Sequence, residues 1–275
     1  MIKGNILKMR TELKDVVQYY LPIGKQQIFM NDLIGKEIEL IFENEINCIA
    51  CGKTTNKSFA QGYCYSCFVS VPQTSECILK PELCQAHLGI ARDMEWAKKN
   101  CLQNHYVYLA ISSGLKVGVT RATQTPTRWL DQGAWKAIKL AETPNRNIAG
   151  LIELELKNYM SDKTSWQKML KNDIAFDIDL EEEKQNAWEL LDEELQQYIT
   201  EDDEVVEIKY PIISYPKKVK SINFDKINAY KGKLIGIKGQ YLIFEDNTVL
   251  NIRRHNGYMI SFKTPNLSPL RKVIR

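Results

Sequence analysis

The chain has 275 residues, 44% of them apolar and 26% charged, with a formal charge of +3. That is enough to bury one large core or two to three small ones, and it excludes a chain disordered throughout. No apolar run approaches the ~18 residues of a membrane helix, and the start, Met1-Ile2-Lys3-Gly4-Asn5-Ile6-Leu7-Lys8-Met9-Arg10, holds no unbroken apolar h-region, so the expectation is a soluble, cytoplasmic protein without a membrane partner.

Charge is unevenly placed. Residues 1–47 sum to −1, 48–104 to +2, 105–172 to +5, 173–208 to −14 and 209–275 to +11. One acidic block masks an otherwise basic protein, and the basic parts suit either a polyanion such as DNA or RNA, whose counterions are released on binding, or an ordinary solvated surface. The same boundaries divide the expected α+β fold into five segments: a β-rich N-terminus (1–47), a Cys-rich stretch (48–104), an α/β core (105–172), an acidic helical segment (173–208) and a basic β-rich module (209–275).

In the first segment Val16–Leu21 reads as a strand ending at Pro22. Asn31–Gly35 has turn chemistry, and Glu37–Phe42 alternates charged and apolar residues at period two. The next segment has little periodicity but carries Cys48-Ile-Ala-Cys51-Gly52 and, after twelve residues, Cys64-Tyr-Ser-Cys67. Each Cys-x-x-Cys pair aims two thiolates at one tetrahedral ion, which points to structural zinc on Cys48, Cys51, Cys64 and Cys67, against buried or redox thiols or an iron–sulfur cluster. Seven cysteines, an odd number, also argue for reduced thiols over a disulfide framework. A zinc knuckle here would present Lys53, Lys57 and Tyr63 or Tyr65 to a partner. Cys77, Cys84, His87 and Cys101 form a second candidate zinc set, the alternative being buried thiols beside a surface histidine.

From His105 the pattern is β-β-α-β-α. Tyr106–Ile111 and Leu115–Thr120 form a hairpin about Ser112-Ser113-Gly114, and Pro126 opens a helix through Trp129. Ala137–Ala141 is a third strand, and Asn147 caps a helix bearing Ile148, Leu151, Ile152 and Leu156. The acidic block reads as one helix, 180–199, with Ala187, Leu191, Leu195, Tyr198 and Ile199 on one face, acting as a spacer or as a polyanion mimic over a basic surface. Past Pro211 and Pro216 come short strands at 234–237, 241–244, 249–252 and 258–262. They suggest either a small barrel-like module or a sheet packed with the N-terminal strands. Lys238, Tyr241, Arg253 and Arg254 set cations beside an aromatic, as nucleic-acid binding uses. The tail after Pro265 reads as loose.

Val107-Tyr108-Leu109, Lys116-Val117-Gly118-Val119-Thr120, Arg128, and Ala149-x-x-x-Glu153 with Leu156 together resemble the GIY-YIG nuclease core over about 55 residues. The resemblance implies a Mg²⁺-dependent endonuclease in which Tyr108 activates water, Arg128 contacts the scissile phosphate and Glu153 holds the metal. Lys116 stands where that family commonly has a second tyrosine, and the interval from Arg128 to Glu153 is short. A non-catalytic DNA- or RNA-binding protein on the same fold is the alternative, and an assembly factor docking through the acidic helix a second one. The wording Lys57-Ser-Phe-Ala-Gln-Gly-Tyr-Cys64, His105-Tyr-Val-Tyr-Leu-Ala110 and Arg128-Trp-Leu-Asp-Gln-Gly-Ala134 resembles, over nearly the whole chain, a bacterial family of unknown function, domain of unknown function 2797.

Overall fold

A computed structural model describes residues 1–264, so the tail from Pro265 that the sequence reads as loose lies outside the described residues. In chain order the elements begin with β1 (Ile2–Asn5), β2 (Arg10–Glu12), β3 (Gln18–Ile23), β4 (Gln26–Phe29), β5 (Glu37–Ile46), α1 (Tyr65–Ser70) and α2 (Met94–Asn100). Next are β6 (His105–Ile111), β7 (Leu115–Arg121), α3 (Thr127–Asp131), β8 (Lys136–Thr143), α4 (Arg146–Leu156), α5 (Trp166–Lys171), α6 (Leu180–Glu189), α7 (Glu193–Gln196) and β9 (Val206–Glu207). The last are β10 (Lys220–Ser221), β11 (Ala229–Lys238), β12 (Tyr241–Phe244), β13 (Thr248–Asn251) and β14 (Tyr258–Lys263). They fall into two units, Met1–Val69 with the chain from Lys209, and Ser70–Ile208.

In the first unit, β5 from the N-terminal segment lies between β14 and β11 from the C-terminal one, in a sheet of order β1-β14-β5-β11-β12-β13-β10. The expected barrel-like module is therefore no closed barrel; its strands join β1 and β5 of the N-terminal segment in a single sheet rather than packing against them as a separate one. Period-two alternation explains the choice. Ile38 and Leu40 of β5 are buried, while Glu37 and Glu39 on the other face pair with Lys231 at 2.7 Å and Lys263 at 3.0 Å, cations supplied by β11 and β14. A smaller sheet, β2-β3-β4, completes the unit. The strand expected to stop at Pro22 continues to Ile23: Pro22 and Ile23 pair with Gln27 and Gln26 of β4, and the Pro22 carbonyl accepts the Leu7 N–H at 3.2 Å on the other side, beyond the last β2 partner at Tyr20.

The second unit is built on the sheet β7-β6-β8-β9, with β6 antiparallel to both neighbours. The order β6-β7-α3-β8-α4 is the β-β-α-β-α succession read from the sequence. Asn145, two residues before the expected Asn147, caps α4 by accepting the Ile148 N–H at 3.1 Å; Asn147 instead donates to the Glu82 carbonyl at 2.7 Å. The single helix expected over 180–199 is two, α6 and α7. Its course breaks where the Asp192 N–H turns to the Glu155 carboxylate at 2.9 Å. Leu180, Ala187 and Leu191 nevertheless face inward, onto a core of Val107, Leu109, Ile138, Leu140, Ile152 and Leu156. The acidic block thus closes the sheet: β9 pairs with β8, and Lys184, its one basic residue, is buried with its ammonium 2.6 Å from Asp203. Among the described residues no helix is long and apolar enough to cross a membrane.

Candidate functional site

The first two cysteines occupy a tight turn after β5. The Gly52 N–H reaches the Cys48 carbonyl at 2.8 Å, the Cys48 N–H reaches Lys53 at 2.9 Å, and Gly52 adopts a left-handed φ of 73° that disfavours any side chain there. Cys64 and Cys67 sit at the start of α1, and the Ile49 N–H, donating to the Gly62 carbonyl at 2.9 Å, ties the two turns together. All four sulfurs lie within 4.8 Å of one another, and Cys51 Sγ is 3.9 Å from Cys64 Sγ. Four thiolates at the usual Zn–S length stand ~3.8 Å apart, so the set fits zinc. Burial pushes the Cys48 thiol up, but the backbone N–H groups of Cys64, Cys51 and Ala50 outweigh it and bring the thiol down to about 6, into the range a metal ligand needs. Around the site Lys53 and Lys57 are exposed, Tyr65 is 62% exposed, and Phe59 stacks on Phe68 at 5.8 Å beneath the Lys57 ammonium.

Cys77, Cys84 and Cys101 also converge, with sulfurs within 4.8 Å of one another. His87, expected as their fourth partner, is exposed on the 3₁₀ turn Ala86–Leu88 and is not in the group.

Tyr108, Lys116, Arg128 and Glu153 are gathered from four different elements. Tyr108 on β6 pairs with Gly118 on β7, and its ring lies across that glycine so closely that a Cβ there would stand 2.6 Å from the phenol oxygen. The phenol donates to Gln132 Oε1 at 2.8 Å and is bonded to Arg128 from α3. Glu153 on α4 pairs with Lys157 at 3.3 Å, and Lys157 with Asp162 at 3.6 Å. Tyr108 and Lys116 both feel the charges of Arg128 and Glu153. Burial pushes Lys116 down to about 8, helped by the Arg128 charge and opposed by Glu153 and Asp162. Burial likewise raises Glu153 against the pull of Lys157, and raises Tyr108 against Arg128. Tyr108 is 0% exposed, Lys116 3% and Glu153 8%; Arg128 is half-buried, and its Nε–H lacks a hydrogen-bond partner.

The model of the family described as Protein of unknown function (DUF2797) matches residues 35–260. The chain belongs to this family. No curated protein and no solved structure matches it. The DUF2797 match spans both cysteine groups and the Tyr108 group but leaves out β1 to β4. It also takes in the C-terminal residues expected to meet nucleic acid. Lys238 is buried, its ammonium 5.4 Å and 5.6 Å from the rings of Tyr210 and Tyr215, and desolvation brings it down to about 8. Tyr241 and Arg253 are half-buried, and Arg254 is exposed. Gln132, Lys157 and Asp162 were not singled out from the sequence. The first two stand four residues beyond Arg128 and Glu153, a helical spacing that marks them as neighbours once those residues are chosen.

Proposed function

We propose that this chain is a zinc-containing, nucleic-acid-interacting protein whose Tyr108, Lys116, Arg128 and Glu153 form a phosphodiester site of the GIY-YIG kind. The observation that carries the reading is their convergence from β6, β7, α3 and α4 in a β-β-α-β-α unit. Arg128 is half-buried, and a guanidinium at that depth can present its outer N–H groups to a phosphate oxygen. Lys116, brought near neutrality by burial, adds a second donor that can also take a proton. Glu153, as one carboxylate among waters, is a donor set that Mg²⁺ accepts, and the ion would neutralise charge on the non-bridging oxygens. The Cys48 site is structural in this reading, holding Lys53, Lys57 and Tyr65 in place for backbone and base contacts.

One observation favours binding without cleavage: the Tyr108 phenol is fully buried, bonded to Gln132 and held in its neutral form. Nicking of supercoiled DNA and of structured RNA, titrated with Mg²⁺, separates the two. Cleavage lost in Glu153→Ala and Arg128→Ala, with binding kept in Glu153→Ala, supports the nuclease. Salt-sensitive binding with no Mg²⁺-dependent cleavage leaves the binder, and no binding to either polymer refutes the proposal.

A further inference from the structure

Residues 70–104 contain no strand: they fold as four 3₁₀ turns and the seven-residue α2. Their buried centre is Cys84, Ala86, Ala97 and Cys101, with Cys77, Met94 and Trp96 packed partly against it, while Leu79 at 86% exposure, Leu88 and Ile90 face outward. Two alanines and three thiols bury little apolar surface of their own, and apart from the packing of Pro81–Leu83 on the helix bearing Gly150 the stretch has little else to hold it, so a staple would add stability. The three cysteines are free thiols drawn from separate turns to within 4.8 Å, which is the geometry of ligands to one ion.

Their surroundings suit a charged centre. The Ala86 N–H donates to Cys84 Sγ. Arg146 from α4 holds the Asn100 carbonyl at 3.0 Å and the Cys77 carbonyl at 3.4 Å, with its guanidinium bonded to Cys101. Zn²⁺ with three thiolates carries one net negative charge, which one arginine balances. A cavity of about 220 Å³ is lined by all three cysteines and also by Arg92, Asp93 and Trp96. The carboxylates nearest to it are engaged: Asp93 caps α2 through the Trp96 N–H at 2.9 Å, and Glu76 pairs with Lys80 at 3.4 Å.

We propose that Cys77, Cys84 and Cys101 bind Zn²⁺ through three thiolates and turn the fourth coordination position into this cavity, where water exchanges for a small thiol. The site differs from the Cys48 set, whose four thiolates leave no position open. A soft sulfur donor is the class of ligand a thiolate-bound zinc takes up, with the thiol proton released to solvent as the Zn–S bond forms and water leaves.

The test uses the whole chain loaded with ¹¹³Cd²⁺, observed by NMR and by metal analysis, with 2-mercaptoethanol as the probe. Two ions per chain and two resonances are expected, one with four sulfur ligands and one with three. The probe should move only the second toward the first. Cys84→Ser should abolish the movable resonance and Cys48→Ser the fixed one. One ion per chain in the unaltered protein overturns the site. Two resonances that both ignore the probe overturn the open position; His105, buried with its Nε2 unpartnered and electrostatically coupled to Cys101, is the protein nitrogen that would then have closed it, and His105→Gln should make the second resonance movable. These readouts involve no nucleic acid, so they succeed or fail independently of the proposed phosphodiester site.

Discussion

Replacing Gly150 by alanine should destabilise the unit of residues 70–208, although the same change in a free helix stabilises it. Gly150 lies in α4, where the segment Pro81–Leu83 presses on it: a Cβ would stand 2.1 Å from the Glu82 nitrogen, 2.3 Å from the Pro81 carbonyl carbon and 2.7 Å from the Glu82 Cα. Carbon contacts prefer ~3.5 Å or more, so the closest is about 1.4 Å short. All three atoms are backbone and cannot swing aside. The helix and the turn must part, which loosens the Asn147 bond to the Glu82 carbonyl at 2.7 Å and the Arg146 bond to Cys77 at 3.4 Å. Overpacking costs about 1–3 kcal/mol and each weakened hydrogen bond about 1 kcal/mol, against a helix-propensity gain of about 1 kcal/mol. The net expectation is a loss of about 2–4 kcal/mol, read as a lower urea midpoint at unchanged slope. A variant as stable as the parent, or more so, would refute the close packing of α4 on that turn.

Two further expectations concern pH and the acidic block. The His255 ring donates its Nδ1–H to the Asn251 carbonyl at 2.8 Å and accepts the Phe224 N–H on Nε2 at 3.2 Å, a pattern only the neutral ring completes. Burial holds its pKa below the ordinary histidine value. The unfolded chain takes up its proton near ~6.5, so the stability this ring contributes is present above that pH and is lost as pH falls from there through the folded value. Urea unfolding at pH 7.5 and 5 should show a fall that His255→Gln lessens; an equal fall in both would exclude this ring as the cause. Deleting residues 179–204 should unfold the unit of residues 70–208, because it removes buried Leu180 and Leu191, each accounting for about 1.5–3 kcal/mol, together with Ala187. Circular dichroism showing cooperative unfolding and native strand content in the deletion would return the block to the role of a dispensable spacer.

Local signals are legible in the sequence where they belong to one element. The turn chemistry of Cys48-x-x-Cys51-Gly52 and the hairpin around Ser112–Gly114 needed only neighbours, and both are present. What the sequence hid depends on distant partners. The strands of 209–264 gave no sign that β5 would divide them, because alternation marks a buried face without naming the strand beside it. For the same reason the C-terminal charge of +11 overstated the free basic surface, since Lys231 and Lys263 are paired with glutamates of β5 and Lys238 is buried under two tyrosine rings. His87 was chosen on a Cys-x-x-His spacing, which fixes separation along the chain, whereas the exposed turn carrying it fixes direction. Tyr108, Lys116, Arg128 and Glu153 were legible only as a resemblance, because nothing in their separate spacings brings four elements to one point.

The interleaved strand order has a consequence for synthesis on the ribosome. β5 emerges early, yet both strands that flank it, β11 and β14, lie beyond residue 228, so its sheet stays incomplete while residues 70–208 pass through the exit tunnel. Everything the 70–208 unit needs is contiguous, and it can finish folding first. For that interval β5 lacks both flanking strands, and the charges at Glu37, Glu39, Glu43 and Glu45 are of the kind that disfavour pairing with another nascent chain.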